Sequence, residues 1–201
     1  MARQDVVARL SIDDSDVKAL ENRLLQVKNG DGLLLAMTRA LNKTSDKAKT
    51  AGAQEIYKQL NLTSAYIKQQ ISSAKDSPSN RATFNNLVSK VTARRRGIRL
   101  ARFLTNESAV HYGSPGTIPR VKVKRGGATK PITGGFLLKL KYAGVPGLFV
   151  RQGGKLKHLY GPSPSQAFES VKDDISPAMA AYMQVQLKTQ AEGVLRQYFN
   201  G

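Results

Sequence analysis

The spacing of apolar residues changes twice along the chain and divides it into three parts. A short strand is predicted at VVARLSI (6–12). Asp14 or Ser15 then caps a helix whose apolar side chains Val17, Leu20, Leu24 and Val27 fall three or four apart. Gly30 and Gly32 break it, and a longer helix is predicted from about Leu33 to Leu60. Its apolar side carries Leu34, Met37, Leu41, Ala48, Gly52 and Ile56, with Arg39, Lys43, Lys47, Lys49 and Lys58 mostly off it. The two helices are expected to pack as a hairpin or against a neighbouring chain. Thr63 caps a third, shorter helix in which Ile67 and Ile71 stand one turn apart.

Past the turn-rich KDSPSNR at 75–81 the period moves from helical toward two. Leu87, Ser89, Val91 and Ala93 face one way and Val88, Lys90 and Thr92 the other, as in a strand of a sheet exposed on one side. From 113 to 162, short strand candidates alternate with glycine and proline: VKVK (121–124), FLLKL (136–140), GLFVR (147–151) and KLKHLY (155–160). Gly153 and Gly154 mark a hairpin between the last two.

Helical signals then return. Ser163 is a cap, Pro164 a first helical residue and Gln166 a capping-box partner. Ser176 and Pro177 repeat that start, and Ala180, Met183, Leu187, Ala191, Val194 and Tyr198 form the apolar stripe of a last helix. The expected fold is α+β: N-terminal helices, a central antiparallel basic β-sheet and C-terminal helices. A single domain over 1–201 is expected, with a mainly helical part at 1–80, a basic sheet part at 81–162 and C-terminal helices at 163–201. The chain is long enough to bury one core.

Charge sharpens this division. Of the net +18, residues 81–161 carry 17 basic residues against one acid, Glu107, while the flanking parts are near balance. Such an excess repels itself unless a polyanion or an acidic partner compensates it. There is no cysteine, which excludes disulfides, thiolate catalysis and cysteine-based zinc sites. No window approaches the roughly 20 apolar residues of a membrane span, and the N-terminus has no signal-peptide run, so a soluble protein without a membrane partner is expected.

Candidate chemistry is sparse, and a non-enzyme without metal or cofactor is expected. His111 and His158 are far apart, and neither has an acid nearby in sequence to complete a metal site or triad. Asp13, Asp14 and Asp16, like Asp173 and Asp174, sit where helix starts favour anions. The glycines of KRGGATKPITGG match neither phosphate-loop pattern and read as turn residues.

The basic stretch itself has two readings. One is a solvated sheet whose edges are guarded by charge; the other is a surface facing phosphates or an acidic partner. The first does not require 17 cations against one acid. Phe103, Phe136, Tyr142, Phe149 and Tyr160 lie among the charges, but their alternation fits a half-buried sheet better than a base-stacking platform. No sequence-reading motif accompanies them. The candidate DNA- or partner-binding residues are Arg94, Arg95, Arg96, Arg99, Arg102, Lys122, Lys124, Arg125, Arg151, Lys155 and Lys157. LYGPSPSQAF is read as a strand-to-helix junction set by Gly161 and Pro162, in preference to a docking turn.

RGIRLARF (96–103), VKVKRGG (121–127), PITGGFLLKL (131–140) and above all FVRQGGKLKHLYGPSPSQAF (149–168) resemble, in that order, the minor tail protein Z family of long-tailed phages and prophages. ALNKTSDKAKT (40–50) and LTSAYIKQQI (62–71) resemble its helical N-terminal half, so the likeness spans roughly residues 30–170. The resemblance implies a virion structural protein of tail completion and head-tail joining, at the head-proximal end of the tail, and in the host cytoplasm during assembly. It also implies a homo-oligomeric ring, six-fold in the usual tail symmetry, among partners such as a tail terminator, head connector or tape measure; whether the basic face meets double-stranded DNA, without sequence preference, or one of these proteins is left open by the sequence. The family has no assigned catalytic residues. In this setting Arg94, Arg95 and Arg96 would face DNA or an acidic tail protein, while Ile98, Leu100 and Phe103 anchor the segment in the core. The alternative expectation is a general, sequence-independent nucleic-acid-binding host protein.

Overall fold

The computed structural model describes residues 4–6, 31–107, 110, 112–113, 116–139 and 146–199. The expected helix around Val17–Val27, the strand expected at 6–12 apart from Val6, Asp13, Asp14, Asp16, His111, Leu140 and Tyr142 lie outside them. The chain is α+β, with helices flanking small antiparallel sheets.

Helix α1 (Asp31–Gln59) and helix α4 (Lys172–Phe199) run antiparallel, each about 40 Å long at 1.5 Å per residue. Near the start of α1, Ala36 meets Ala191 and Val194; further along, Ala40 meets Met183 and Leu187. The buried line of α1 is therefore Ala36, Ala40, Thr44 and Ser45, while the expected Leu34, Met37 and Leu41 are only half-buried beside it. Small residues allow the two axes to approach, and the large apolar side chains flank the seam. Thr44 Oγ1 bonds Ala40 O at 2.9 Å and lies 3.2 Å from Met183 Sδ. The C-terminal half of α1 follows the expected stripe through Gly52 and Ile56, both buried.

Helix α2 (Ser64–Gln70) has Thr63 as its cap, accepting from the Tyr66 N–H. Ile67 is buried in this helix, but Ile71 begins strand β2 (Ile71–Ser72), so the two are not paired on one helix face. β2 lies on one side of β3 (Val91–Ala93), and β1 (Gln4–Val6) on the other. The expected strand over 87–93 is thus confined to its last three residues, and these are buried together rather than alternately. Thr92 is buried because Asn80, itself 2 % exposed, donates to its hydroxyl at 3.0 Å. Upstream, Thr83 and Asn86 exchange backbone hydrogen bonds in a tight turn, which ends strand pairing there.

The expected central sheet is divided. β4 (Arg120–Val121) pairs with β5 (Lys130–Pro131) and on its other side bridges Leu104 through Val121, while β6 (Gly135–Leu138), β7 (Gly147–Gln152) and β8 (Lys155–His158) form a separate meander. Glycine and proline keep the strands too short to join into one sheet. Gly153 and Gly154, at φ 57° and 72°, form the expected hairpin turn. The base of the meander is buried on both faces, by Phe136 and Phe149 on one and by Leu137 and Leu148 on the other. Only its tip, from Arg151 to Lys157, is exposed.

Helix α3 (Pro164–Glu169) carries the full capping box of Ser163 and Gln166. Ser176 and Pro177, however, do not start a new helix, because α4 already begins at Lys172. Val171 and Ile175 are buried in the main core and require helical geometry before Pro177 is reached. Pro177 would have bonded the carbonyl of Asp173 in the exposed first turn, where that loss costs least. The Ser176 hydroxyl donates back to Lys172 O at 2.8 Å.

Candidate functional site

Two stretches distinguished in the sequence, RGIRLARF (96–103) with the preceding Arg94 and Arg95, and LYGPSPSQAF (159–168), lie side by side. Leu100 N–H donates to Leu159 O, Gly161 N–H to Ile98 O and Ile98 N–H to Pro162 O, at 2.7 to 3.2 Å, an antiparallel pairing outside the named strands. Gly97 and Gly161 permit it: a Cβ on Gly97 would lie 2.9 Å from Gly161 O, and one on Gly161 would lie 2.9 Å from Phe103 Cε2. Ile98 and Phe103 are buried and Leu100 packs against the core, so the segment is anchored as expected.

This pairing fixes the first group of candidate residues. Arg94, Arg95 and Arg96 are exposed at the end of β3, and the backbone of Arg94 is held by Gln70 O and the Ser165 N–H. Arg96 donates to Tyr160 Oη at 2.9 Å, and the same hydroxyl lies 2.9 Å from His158 Nδ1. A guanidinium can only donate, so the hydroxyl proton is free to reach the imidazole. His158 in turn stacks on Phe149 with ring centroids 4.4 Å apart. Arg151 lies over Phe136 on the same face of the meander. Arg96, Arg99 and Arg151 thus surround an aromatic ladder on one side of the sheet. Burial holds the His158 pKa below its ordinary 6.5, and the charges of Arg99 and Arg96 add to the effect.

A second group lines a cleft of about 620 Å³ beside the end of α1. Arg102 stacks on Tyr66 at 4.1 Å and Arg125 on Tyr57 at 3.9 Å. Arg125 also donates through Nε to Tyr57 O at 2.8 Å, a carbonyl of the last turn of α1, and through Nη2 to Leu62 O at 3.1 Å, in the loop that follows it. Glu107 shares the wall of this cleft. Lys122 is half-buried, its N–H bonded to Phe103 O, and Lys124 is exposed where its backbone bridges Leu60.

The third group, Lys155 and Lys157, stands on the face of β8 opposite to Arg151, and Lys157 reaches Gln152 Oε1 at 3.4 Å. The eleven residues therefore occupy three places rather than one sheet face. Exposed Arg81, Arg120, Lys130 and Lys139 extend the basic surface beyond them. The tyrosines that hold the arginines were not candidates, since nothing in sequence ties Tyr57 to Arg125 or Tyr66 to Arg102. Among the described residues no group of three or more His, Asp or Glu could hold a metal, and no helix is long and apolar enough to cross a membrane.

No family model, curated protein or solved structure matches this chain.

Proposed function

We propose that this is a virion structural protein of a long-tailed phage, acting in tail completion and head-tail joining through a basic surface that meets DNA or an acidic tail component. The observation that carries the reading is the cationic segment 81–161, with 17 bases against one acid and with Arg94, Arg95 and Arg96 all exposed on a backbone held rigidly by Gln70, Ser165 and the Gly97–Gly161 pairing. Hydrogen-bonded backbone beneath exposed cationic side chains suits recognition of an anionic surface, because little backbone order remains to be imposed on binding. The resemblance of 30–170 to the minor tail protein Z family supplies the phage setting, and the α1–α4 pair supplies a long helical edge suited to packing in a ring.

The test is complementation of a phage or prophage that lacks this protein. The Arg94→Glu, Arg95→Glu, Arg96→Glu triple variant should melt like the parent yet yield no infectious particles. Normal infectivity would overturn the proposal. A salt series with unrelated double-stranded DNA then identifies the anion. Affinity falling with a log–log slope of about −0.9 per phosphate contacted points to DNA, and absence of binding at low salt points to an acidic protein.

A further inference from the structure

We infer that the cleft between Tyr57, Tyr66, Arg102, Arg125 and Glu107 is a binding site for an acidic peptide segment of a partner protein. This deepens the partner-facing reading above and rests on it. Both guanidiniums are prepositioned. Arg102 is exposed with its guanidinium carbon 4.1 Å from the centre of the Tyr66 ring, and Arg125 is pinned by Tyr57 and by two backbone carbonyls. Arg125 spends Nε and Nη2 on those carbonyls, whereas the exposed Arg102 presents an N–H edge that can meet a carboxylate with two parallel hydrogen bonds. Among the described residues, neither Arg102 nor Glu107 takes part in an ion pair, although they share this cleft. An acidic side chain entering it would meet donors already in place.

Shape and charge select the class of ligand. Here the protein supplies the concave surface, about 620 Å³, which is within the range of sites that enclose a small ligand or a thin chain. A duplex is too wide to enter. A single nucleic-acid strand would bring its phosphates against Glu107, whereas a peptide brings backbone N–H groups that a carboxylate accepts. Glu107 is the one acid in the whole 81–161 segment, and its place on this wall gives the cleft a polarity that the surrounding surface lacks.

The experiment is fluorescence anisotropy of the full chain with a labelled oligo-glutamate peptide, competed by an oligo-thymidylate of equal length. The peptide should bind, and Arg102→Gln should weaken it about tenfold or more, as loss of a charge-assisted pair does. Lys155→Gln with Lys157→Gln should change it less than about twofold, since those side chains stand elsewhere and exposed charges contribute weakly. Glu107→Gln should make the oligonucleotide a better competitor. The inference is overturned if Arg102→Gln binds as the parent does, if the lysine pair weakens the peptide equally, or if the oligonucleotide displaces it from the parent. A melt of Arg102→Gln matching the parent excludes unfolding as the cause. The particle assay depends on Arg94–Arg96 and the peptide assay on Arg102, so failure of one is distinguishable from failure of the other.

Discussion

Gly52 in α1 lies beneath the ring of Phe168 in α3: a Cβ built on it would stand 3.0 Å from Phe168 Cδ2 and closer still to Cε2. In an exposed helix, replacing glycine by alanine stabilises by about 1 kcal/mol. Here the sign reverses, because Phe168 is 3 % exposed and cannot withdraw from the core. Gly52→Ala should lose about 1–3 kcal/mol in urea unfolding. Phe168→Leu should recover part of that loss in the double variant, a coupling that a double-mutant cycle measures directly.

His158 makes stability depend on pH. Its folded pKa lies below 6.5 through burial and the nearby Arg99 and Arg96, so the native state favours the neutral ring. The unfolded chain then binds more protons as pH falls, and the contribution is present above about pH 6.5 and lost as pH falls through the folded value. Thermal melts should show this decline, and His158→Gln should flatten it. By NMR titration, Arg99→Gln should raise the His158 pKa, and so should Tyr160→Phe, which removes the hydroxyl beside Nδ1.

Asp76 acts at lower pH. Burial alone would raise its pKa, but it is outweighed by hydrogen bonds from the Ser73 N–H at 2.8 Å and from Lys49 Nζ at 2.9 Å, which hold the carboxyl below its ordinary 3.8. Its contribution is present above pH 3.8 and lost as pH falls through the folded value. Asp76→Asn should cost about 1 kcal/mol at neutral pH, a modest figure because the carboxylate is partly in water. The variant should also have a shallower acid limb in its unfolding curve.

Arg125 and Arg102 should separate in their effects on folding. Arg125→Gln strips Tyr57 O and Leu62 O of their donor and should lower stability by about 1–3 kcal/mol. Arg102→Gln removes an exposed side chain that makes no such bond among the described residues, and should stay within about 1 kcal/mol of the parent, the worth of an exposed cation–π contact such as that with Tyr66. Equal losses in chemical denaturation would refute the distinction.

The order of helices and strands was legible because it rests on local chemistry. Thr63 and Ser163 cap by contacts three residues away, and the Gly153–Gly154 turn needs only its own φ angles. The α+β class follows from these and from the periods. Where burial depends on a distant partner, the sequence pattern misleads. The leucines of α1 read as its core face until α4 selects Ala36 and Ala40, and Pro177 reads as a helix start until the core demands Val171 and Ile175. The site was legible by residue type but not by arrangement. Seventeen cations are visible in the sequence, but the division of the eleven candidates among three places is set by pairings such as Tyr57 with Arg125, separated by 68 residues.

The antiparallel pairing of Ile98 and Leu100 with Leu159 and Gly161 gives the intervening chain a common point of departure and return. The described residues between Ala101 and His158 leave and return through this neck, closed by two glycines that permit the close approach, and are tied to the end of α1 as well, where Lys124 bridges Leu60 and Arg125 bonds Tyr57 and Leu62. Residues can therefore be inserted or removed at the exposed tip around Gly153 and Gly154 without moving the neck, since loop closure costs only about 0.6 kcal/mol per doubling of length. Substitution at the neck itself has no such latitude: a side chain at Gly97 or Gly161 would push apart both ends of the excursion at once. The basic tip can thus vary in length over a helical frame that stays fixed.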